Sequence, residues 1–212
     1  MGSEMCIRDR MVKDINSGSG FSSPTDFTAV GNTLYFRADD GTHGQELWKS
    51  DGTASGTVMV KDIYSGIGSS GPVYLTAVGN TLYLSASDAP NGYELWKSDG
   101  TTSGTVMVKD INSGSDGSFP SGGSVAWEFT VVGNTLYFSA DDGIHDDELW
   151  KSDGTASGTV MVKDIHSGNT GSSASWPDYF TVVGSTLYFQ AEDGVNGLEL
   201  WKSEIVTEVT YS

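Results

Sequence analysis

The sequence predicts an all-β protein, a β-propeller of four four-stranded antiparallel blades, and three observations predict it. The string Glu-Leu-Trp-Lys-Ser starts at Glu46, Glu94, Glu148 and Glu199, at offsets of 48, 54 and 51 residues. Such self-similarity is the signature of a repeat architecture. The segments between are short runs of β-branched and aromatic residues punctuated by Gly, Asn, Asp and Ser, with no sustained 3.6-residue period. Finally, Leu47 and Trp48 are adjacent, so they point to opposite faces of a strand, and both are large and apolar. A sheet apolar on both faces needs cover on both. Radially stacked sheets supply it, whereas a two-layer sandwich leaves one polar face and a clean alternation.

The first repeat, Asp26 to Ile63, justifies the elements in order. Phe27–Val30 is a short β-prone run. Gly31-Asn32 is a two-residue hairpin turn, with Gly at a left-handed position. Residues 33–38 form a second strand, Asp39–Gly44 a polar loop, and Glu46–Ser50 a third strand. Asp51–Gly56 turn the chain into a fourth strand, Thr57–Ile63, and a Gly/Ser crossover leads to the next copy. Repeats fall at about 26–63, 73–111, 128–165 and 179–203, within one domain over 11–212. Met11–Ile15 is an orphan fourth strand, and the last copy loses that strand's consensus. Pairing the two closes a four-bladed wheel and hides its edges. In the alternative, residues 205–211 complete the last blade and Met11–Ile15 is left from an upstream blade, which makes the chain an arc or fragment of a larger propeller. Residues 1–10 match no repeat. Glu4–Asp9 resemble an in-frame reading of a transposon sequencing adapter, which marks 1–10 as a non-native or disordered leader of a metagenomic reading frame.

The net charge is −17, which argues against nucleic acid and against anionic lipid as partners. No apolar run has bilayer-spanning length, so no membrane insertion is expected. The only cysteine, Cys6, lies in the leader, which removes disulfide and thiolate chemistry from the rest of the chain.

The residues quoted resemble the bacterial ELWxxDGT repeat family, often labelled hyalin-like, with the pattern VGNxLYFxAxDGxxGxELWKSDGTxxGTxxVKDI. Val30–Ile63 and the copies ending at Ile111 and Ile165 match it throughout, and the fourth matches as far as Ser203. The resemblance implies a propeller-like fold and large, secreted or surface-attached bacterial proteins. It implies no catalytic activity, so no catalytic residues are carried over.

Chemistry is expected on the acidic loops and the crossovers, the parts that vary between copies. The third acidic loop gathers Asp141, Asp142, Asp146, Asp147 and Glu148, hard oxygen donors of the kind calcium takes. Calcium is therefore the candidate cofactor. It competes with the plainer reading of solvated acidic turns. His43 and His145 share a column but stand in alternate copies, which is poor convergence for zinc. Trp48, Trp96, Trp150 and Trp201 recur at one position and are read as the packing core of the blades. Trp127 and Trp176 occur once each, in the two longest crossovers, as candidate anchors for a glycan or an extracellular protein or as plugs between blades. Lys49, Lys61 and their neighbouring carboxylates are read as cross-strand ion pairs. Near-identical copies give a near-symmetric object, and a catalytic centre is asymmetric. The expectation is thus a non-catalytic, secreted or cell-surface binding or adhesion module, not an enzyme. The alternatives are a structural spacer and a hydrolase using loop carboxylates.

Overall fold

The computed structural model describes residues 9–115, 117–119, 129–167 and 174–204. They form fifteen strands in four antiparallel sheets. The first sheet is β1 (Thr25–Val30), β2 (Thr33–Asp39), β3 (Gln45–Ser50) and β4 (Val58–Lys61). The second is β5 (Val73–Val78), β6 (Thr81–Ser87), β7 (Tyr93–Ser98) and β8 (Val106–Lys109). The third is β9 (Thr130–Val132), β10 (Thr135–Asp141), β11 (Asp147–Ser152) and β12 (Val160–Lys163). The fourth holds three strands, β13 (Asp178–Val183), β14 (Thr186–Glu192) and β15 (Leu198–Glu204). Within each sheet the strands lie in chain order, as a blade-like meander. Among the described residues no helix is long and apolar enough to cross a membrane.

The two apolar faces of the third strand are used as the sequence predicts in the first three sheets. Leu47, Tyr35, Val30 and Val60 pack on Leu75, Leu82, Leu84 and Trp96 of the second sheet. The same columns join the second sheet to the third, and the third to the fourth. Trp48 points the other way, with Phe36 and Ala38, onto Ile15. Trp48, Trp96 and Trp150 are each buried, and each lies under a lysine ammonium: Lys13, Lys61 and Lys109, at 5.7, 5.5 and 5.3 Å. Lys163 sits 4.9 Å above Trp201 in the same way.

These lysines correct the expectation of cross-strand ion pairs. Lys61 donates to the Thr105 carbonyl of the next sheet and Lys49 to that of Gly100, at 2.8 and 2.7 Å. Carbonyls of the following sheet, at a turn that recurs in every copy, outcompete mobile surface carboxylates. The turn is built for that approach. Gly100 has φ +85°, and a Cβ there would meet the Tyr35 hydroxyl of the preceding sheet. Only glycine satisfies both conditions.

A buried glutamate is the second residue of the third strand in the first three sheets. Glu46 accepts hydrogen bonds from the Ile63, Tyr64 and Ser70 amides and from the Ser70 hydroxyl, at 2.6–3.2 Å. Glu94 repeats this with Ile111, Asn112 and Ser118. The Ile63 amide is thereby drawn out of the ladder, which is why β4 ends at Lys61 and not at Ile63 as the sequence predicts.

Closure by the N-terminal strand is corrected. Residues 11–15 form no strand, and β15 pairs only with β14 among the described residues. Lys13 instead donates to the Thr57 carbonyl at 2.7 Å and covers Trp48, so the segment lies against the first sheet. The physical reason is that Lys13 and Ile15 keep the contacts that Lys61 and Ile63 make with the following sheet, while the edge of β15 is not brought to them. The alternative fourth strand over 205–211, most of the leader and Trp127 lie outside the described residues.

Glu94→Ala is expected to lower unfolding stability by about 3 kcal/mol or more, since four donors at a buried junction lose their acceptor. A chemical-denaturation midpoint measures this, with a neutral result expected for the exposed Thr101→Ser.

Candidate active site in the third sheet

In every repeat the end of the second strand faces the start of the third across the ladder. The opposed pairs are Asp39 with Gln45, Ser87 with Tyr93, Asp141 with Asp147 and Glu192 with Leu198. Only the third sheet sets two carboxylates directly opposite each other. Like charges so placed are unfavourable. One of them is relieved by keeping its proton.

The crossovers share this end. Ser118 O accepts from the Asp141 amide, and the Ser118 and Phe119 amides donate to Tyr93 O. The result is a cavity of about 410 Å³ lined by Asn112, Gly117, Ser118, Phe119, Asp141, Gly143 and Asp147. Asp141 Oδ1 accepts the Gly143 amide at 2.6 Å. Asp147 is pushed up to about 7, first by burial and then by the charges of Asp141, Asp146 and Glu148. Asp141 is also raised, chiefly by burial, with the Gly143 hydrogen bond opposing and Asp146 and Asp142 adding. Asp147 therefore holds its proton to a higher pH than an ordinary aspartate does.

Asp146 marks the same place by its backbone. Its φ is +53°, and its column-mates Gly44, Gly92 and Gly197 have +67°, +66° and +75°. In the first two repeats a Cβ at this position would run into Gly68 O or Gly117 N. The third repeat therefore gives up the residue the geometry favours and puts a carboxylate there. The positive φ of Asp26, Tyr74 and Tyr179 recurs from copy to copy at a bulge in the first strand. A strain that recurs belongs to the architecture. Two non-glycine residues occupy a glycine column at positive φ, Ala89 at +78° and Asp146 at +53°, and of these Asp146 adjoins the opposed carboxylates.

The five acidic residues of this loop separate into two groups. Asp141 and Asp147 are brought together, beside Asp146. Asp142 is used inside the loop, where its Oδ1 accepts the Ile144 and His145 amides at 2.9 Å and its carboxylate pairs with His145 Nδ1. Asp40 and His43 do the same in the first repeat, which accounts for the histidine column. Glu148 turns away from the cavity, to the Ile165 and His166 amides and the Ser175 hydroxyl. Among the described residues no group of three or more His, Cys, Asp or Glu side chains is arranged to hold a metal ion.

Trp176 lies in the crossover that follows the third sheet and is not among the residues that line the cavity. It follows Ser175, whose amide and hydroxyl both donate to Asp147 O, and it is 49% exposed. The signals that sequence reasoning passed over are the column Gln45, Tyr93, Asp147, Leu198 and the glycine column broken at Asp146. Both stand one or two residues ahead of the repeated glutamate.

No family model matches the sequence, and no curated protein matches it. Among solved structures the chain is similar to a puromycin hydrolase mutant complexed with PGG, at 14% identity and a TM-score of 0.55, over 89% of this chain and 27% of that one. The chain thus spans about a quarter of that protein's length. Weaker likenesses are to an endo-arabinase from Bacteroides thetaiotaomicron, at 12% identity and a TM-score of 0.36 over 92% of this chain and 78% of that one, and to a GH43 endo-arabinanase from Bacillus licheniformis, at 17% identity and 0.24 over 92% and 97%. At these identities what is shared with the first is the fold, and the other two fall below the level of a shared fold. The first is a hydrolase by name, so this fold is not in itself the mark of a non-catalytic protein, and the expectations of a non-catalytic binding or adhesion module and of a chain that is not an enzyme are corrected to that extent. The symmetry argument behind them fails at Asp146 and Asp147.

Two measurements check the electrostatics. Because the folded state holds the Asp147 proton up to about pH 7 while an unfolded aspartate releases it near 4, this group's favourable contribution is complete below about pH 4 and lost as pH rises through about 7. Asp147→Asn should therefore stabilise the protein by about 1–2 kcal/mol at pH 8 and leave it unchanged near pH 4. Asp146→Gly should stabilise it by about 1 kcal/mol by relieving the left-handed backbone. Thermal unfolding at the two pH values reads both.

Proposed function

We propose that the protein is a carboxylate-dependent hydrolase acting on glycosidic bonds at the third sheet. The observation that carries the reading is the Asp141–Asp147 pair, directly opposed at the wall of a cavity and unique among the four repeats. Glycoside hydrolysis needs one carboxyl group that keeps its proton to hand to the leaving-group oxygen, and one ionised carboxylate. Asp147 takes the first role and Asp141 the second. Directly opposed residues bring their Cβ atoms to about 4.5–5.5 Å, which puts the two carboxyl groups within reach of the roughly 5–5.5 Å separation used by enzymes that form a covalent glycosyl intermediate. Asp141 then attacks the anomeric carbon as Asp147 protonates the departing oxygen. Asp147, now ionised, deprotonates the water that releases the sugar from Asp141. Trp176, exposed in the following crossover next to Ser175, offers an aromatic face for a sugar ring.

The sheets around this site are read as successive blades of a larger propeller. The contacts of Lys13 and Ile15 with the first sheet support that reading, since they repeat those of a fourth strand with the blade after it. The similarity to ELWxxDGT repeats supports a secreted or surface location, where polysaccharide is the available substrate.

Reducing-end release from a panel of aryl glycosides and plant and bacterial polysaccharides tests the reading. Asp147→Asn and Asp141→Asn should each cut turnover by at least about 100-fold, and the rate should fall as pH rises past about 7 because Asp147 loses the proton it donates. No turnover by the unmodified chain on any member of the panel, or turnover indifferent to both substitutions, would refute it.

A further inference from the structure

Three interfaces inside the chain repeat one set of contacts, and its two outer sheets carry the two unused halves of the same set. On the fourth sheet Val183 and Leu200 are 62% and 77% exposed, whereas their column-mates Val30 and Leu47 are 9% and 0%. On the first sheet Phe27 is 58% exposed, whereas its column-mates Leu75 and Phe180, in the sheets that follow another, are 8% and 7%. Beside Phe27 lies a cavity of about 220 Å³ whose apolar wall includes Val12, Ile15, Leu34 and Phe36. Leu82 and Leu84, the column-mates of Leu34 and Phe36, are the residues that Leu47 packs against in the second sheet.

The polar groups are split in the same way. Glu46, Glu94 and Glu148 each gather donors from the crossover that follows. Their fourth column-mate, Glu199, is exposed. The donors of such a set are present at the other end, on Ile15, Asn16 and Ser22, the column-mates of Ile63, Tyr64 and Ser70. Gly52 tells the same story. A Cβ at Gly100 or Gly154 would strike the tyrosine hydroxyl of the preceding sheet, while one at Gly52 would meet nothing.

We propose that the fourth sheet of one copy docks on the first sheet of a second copy, head to tail, by a fourth instance of the internal interface. Leu200 enters the cavity beside Phe27. Glu199 accepts from the Ile15, Asn16 and Ser22 amides and the Ser22 hydroxyl. Lys202, now on Glu204, reaches the Gly52 carbonyl as Lys49 reaches that of Gly100. The edge of β15 meets Met11–Ile15 as a fourth strand. Because the two faces differ, the contact is heterologous and generates a closed ring or a filament. The occupant is a second copy because the faces complement each other and, among the described residues, no apolar cluster joins the fourth sheet to the first.

Light scattering across micromolar concentrations tests this. The unmodified chain should rise above the one-chain mass. Leu200→Asp and Phe27→Asp, both at exposed positions, should each remain at one chain with unchanged circular dichroism. An equimolar mixture of the two variants should form a 1:1 complex through its single intact interface, and Glu199→Ala should weaken assembly by about tenfold or more. A chain that stays at the one-chain mass at every concentration would overturn the proposal, and this covers the case where residues 205–211 or closure of the wheel on itself occupies the face. So would an assembly that survives both aspartate substitutions.

Discussion

Each complete sheet depends on a buried carboxylate that has no cationic partner among the described residues. Glu46 and Glu94 are fully buried, and each is held by three amides and one serine hydroxyl. Burying a charge this way is costly unless its hydrogen bonds are complete. Burial wins over the four donors at Glu94, whose carboxyl is raised to about 7. What the arrangement secures is geometry. A flexible Gly/Ser crossover is fastened at its start and at its serine to the first turn of the third strand. The same crossover is thereby laid against the opposed-pair position of the next sheet, since Ser70 O takes the Ser87 amide and Ser118 O the Asp141 amide. The cavity in front of Asp141 exists because Glu94 holds Ser118 where it is.

That constraint explains how variable loops coexist with near-identical sheets. The crossover between its two fastened points may lengthen without disturbing the interface, because the lysine-to-carbonyl bonds and the lysine–tryptophan stacking lie elsewhere on the blade. The Ser-Asp-Gly-Thr turn is held in turn by its own side chains. Asp51 caps Thr53, and Thr57 bonds Ser50 and the Thr53 carbonyl. Each conserved-looking letter of the repeat therefore has a local or inter-sheet bond to make.

Much of this was legible in the sequence. The strands, the turns, the burial of Leu47 and Trp48 on opposite faces and the gathering of acidic loops and crossovers at one end all follow from residue pattern. Three things were not. The lysines read as surface charges because nothing in the sequence says that a turn 51 residues later brings its carbonyl within reach of Lys49. The repeated glutamate read as part of a strand motif because its donors lie 17 to 24 residues away in a loop of low complexity. The site itself read as an acidic turn. A count of carboxylates treats Asp141, Asp142, Asp146, Asp147 and Glu148 alike, while the ladder register alone separates the opposed pair from the loop brace and the buried clamp.

The failed step was to infer from repetition that no centre of asymmetry exists. A repeat protein supplies its own controls, since every position is sampled several times in nearly one environment. The residue that three copies agree on is what the fold needs, and a departure that costs stability is what calls for another explanation. Asp146 departs from glycine at a left-handed backbone, and Asp147 adds a second negative charge opposite Asp141. Both changes are unfavourable to folding and adjoin in sequence, and Asp147 lines the cavity. Val195, in place of Thr42 and Ile144, also departs from its column, but it is exposed and no unfavourable geometry attends it. Ala89 in the second sheet likewise replaces the glycine of its column, at a φ of +78°, so it is the directly opposed Asp141–Asp147 pair that separates the third sheet from the others.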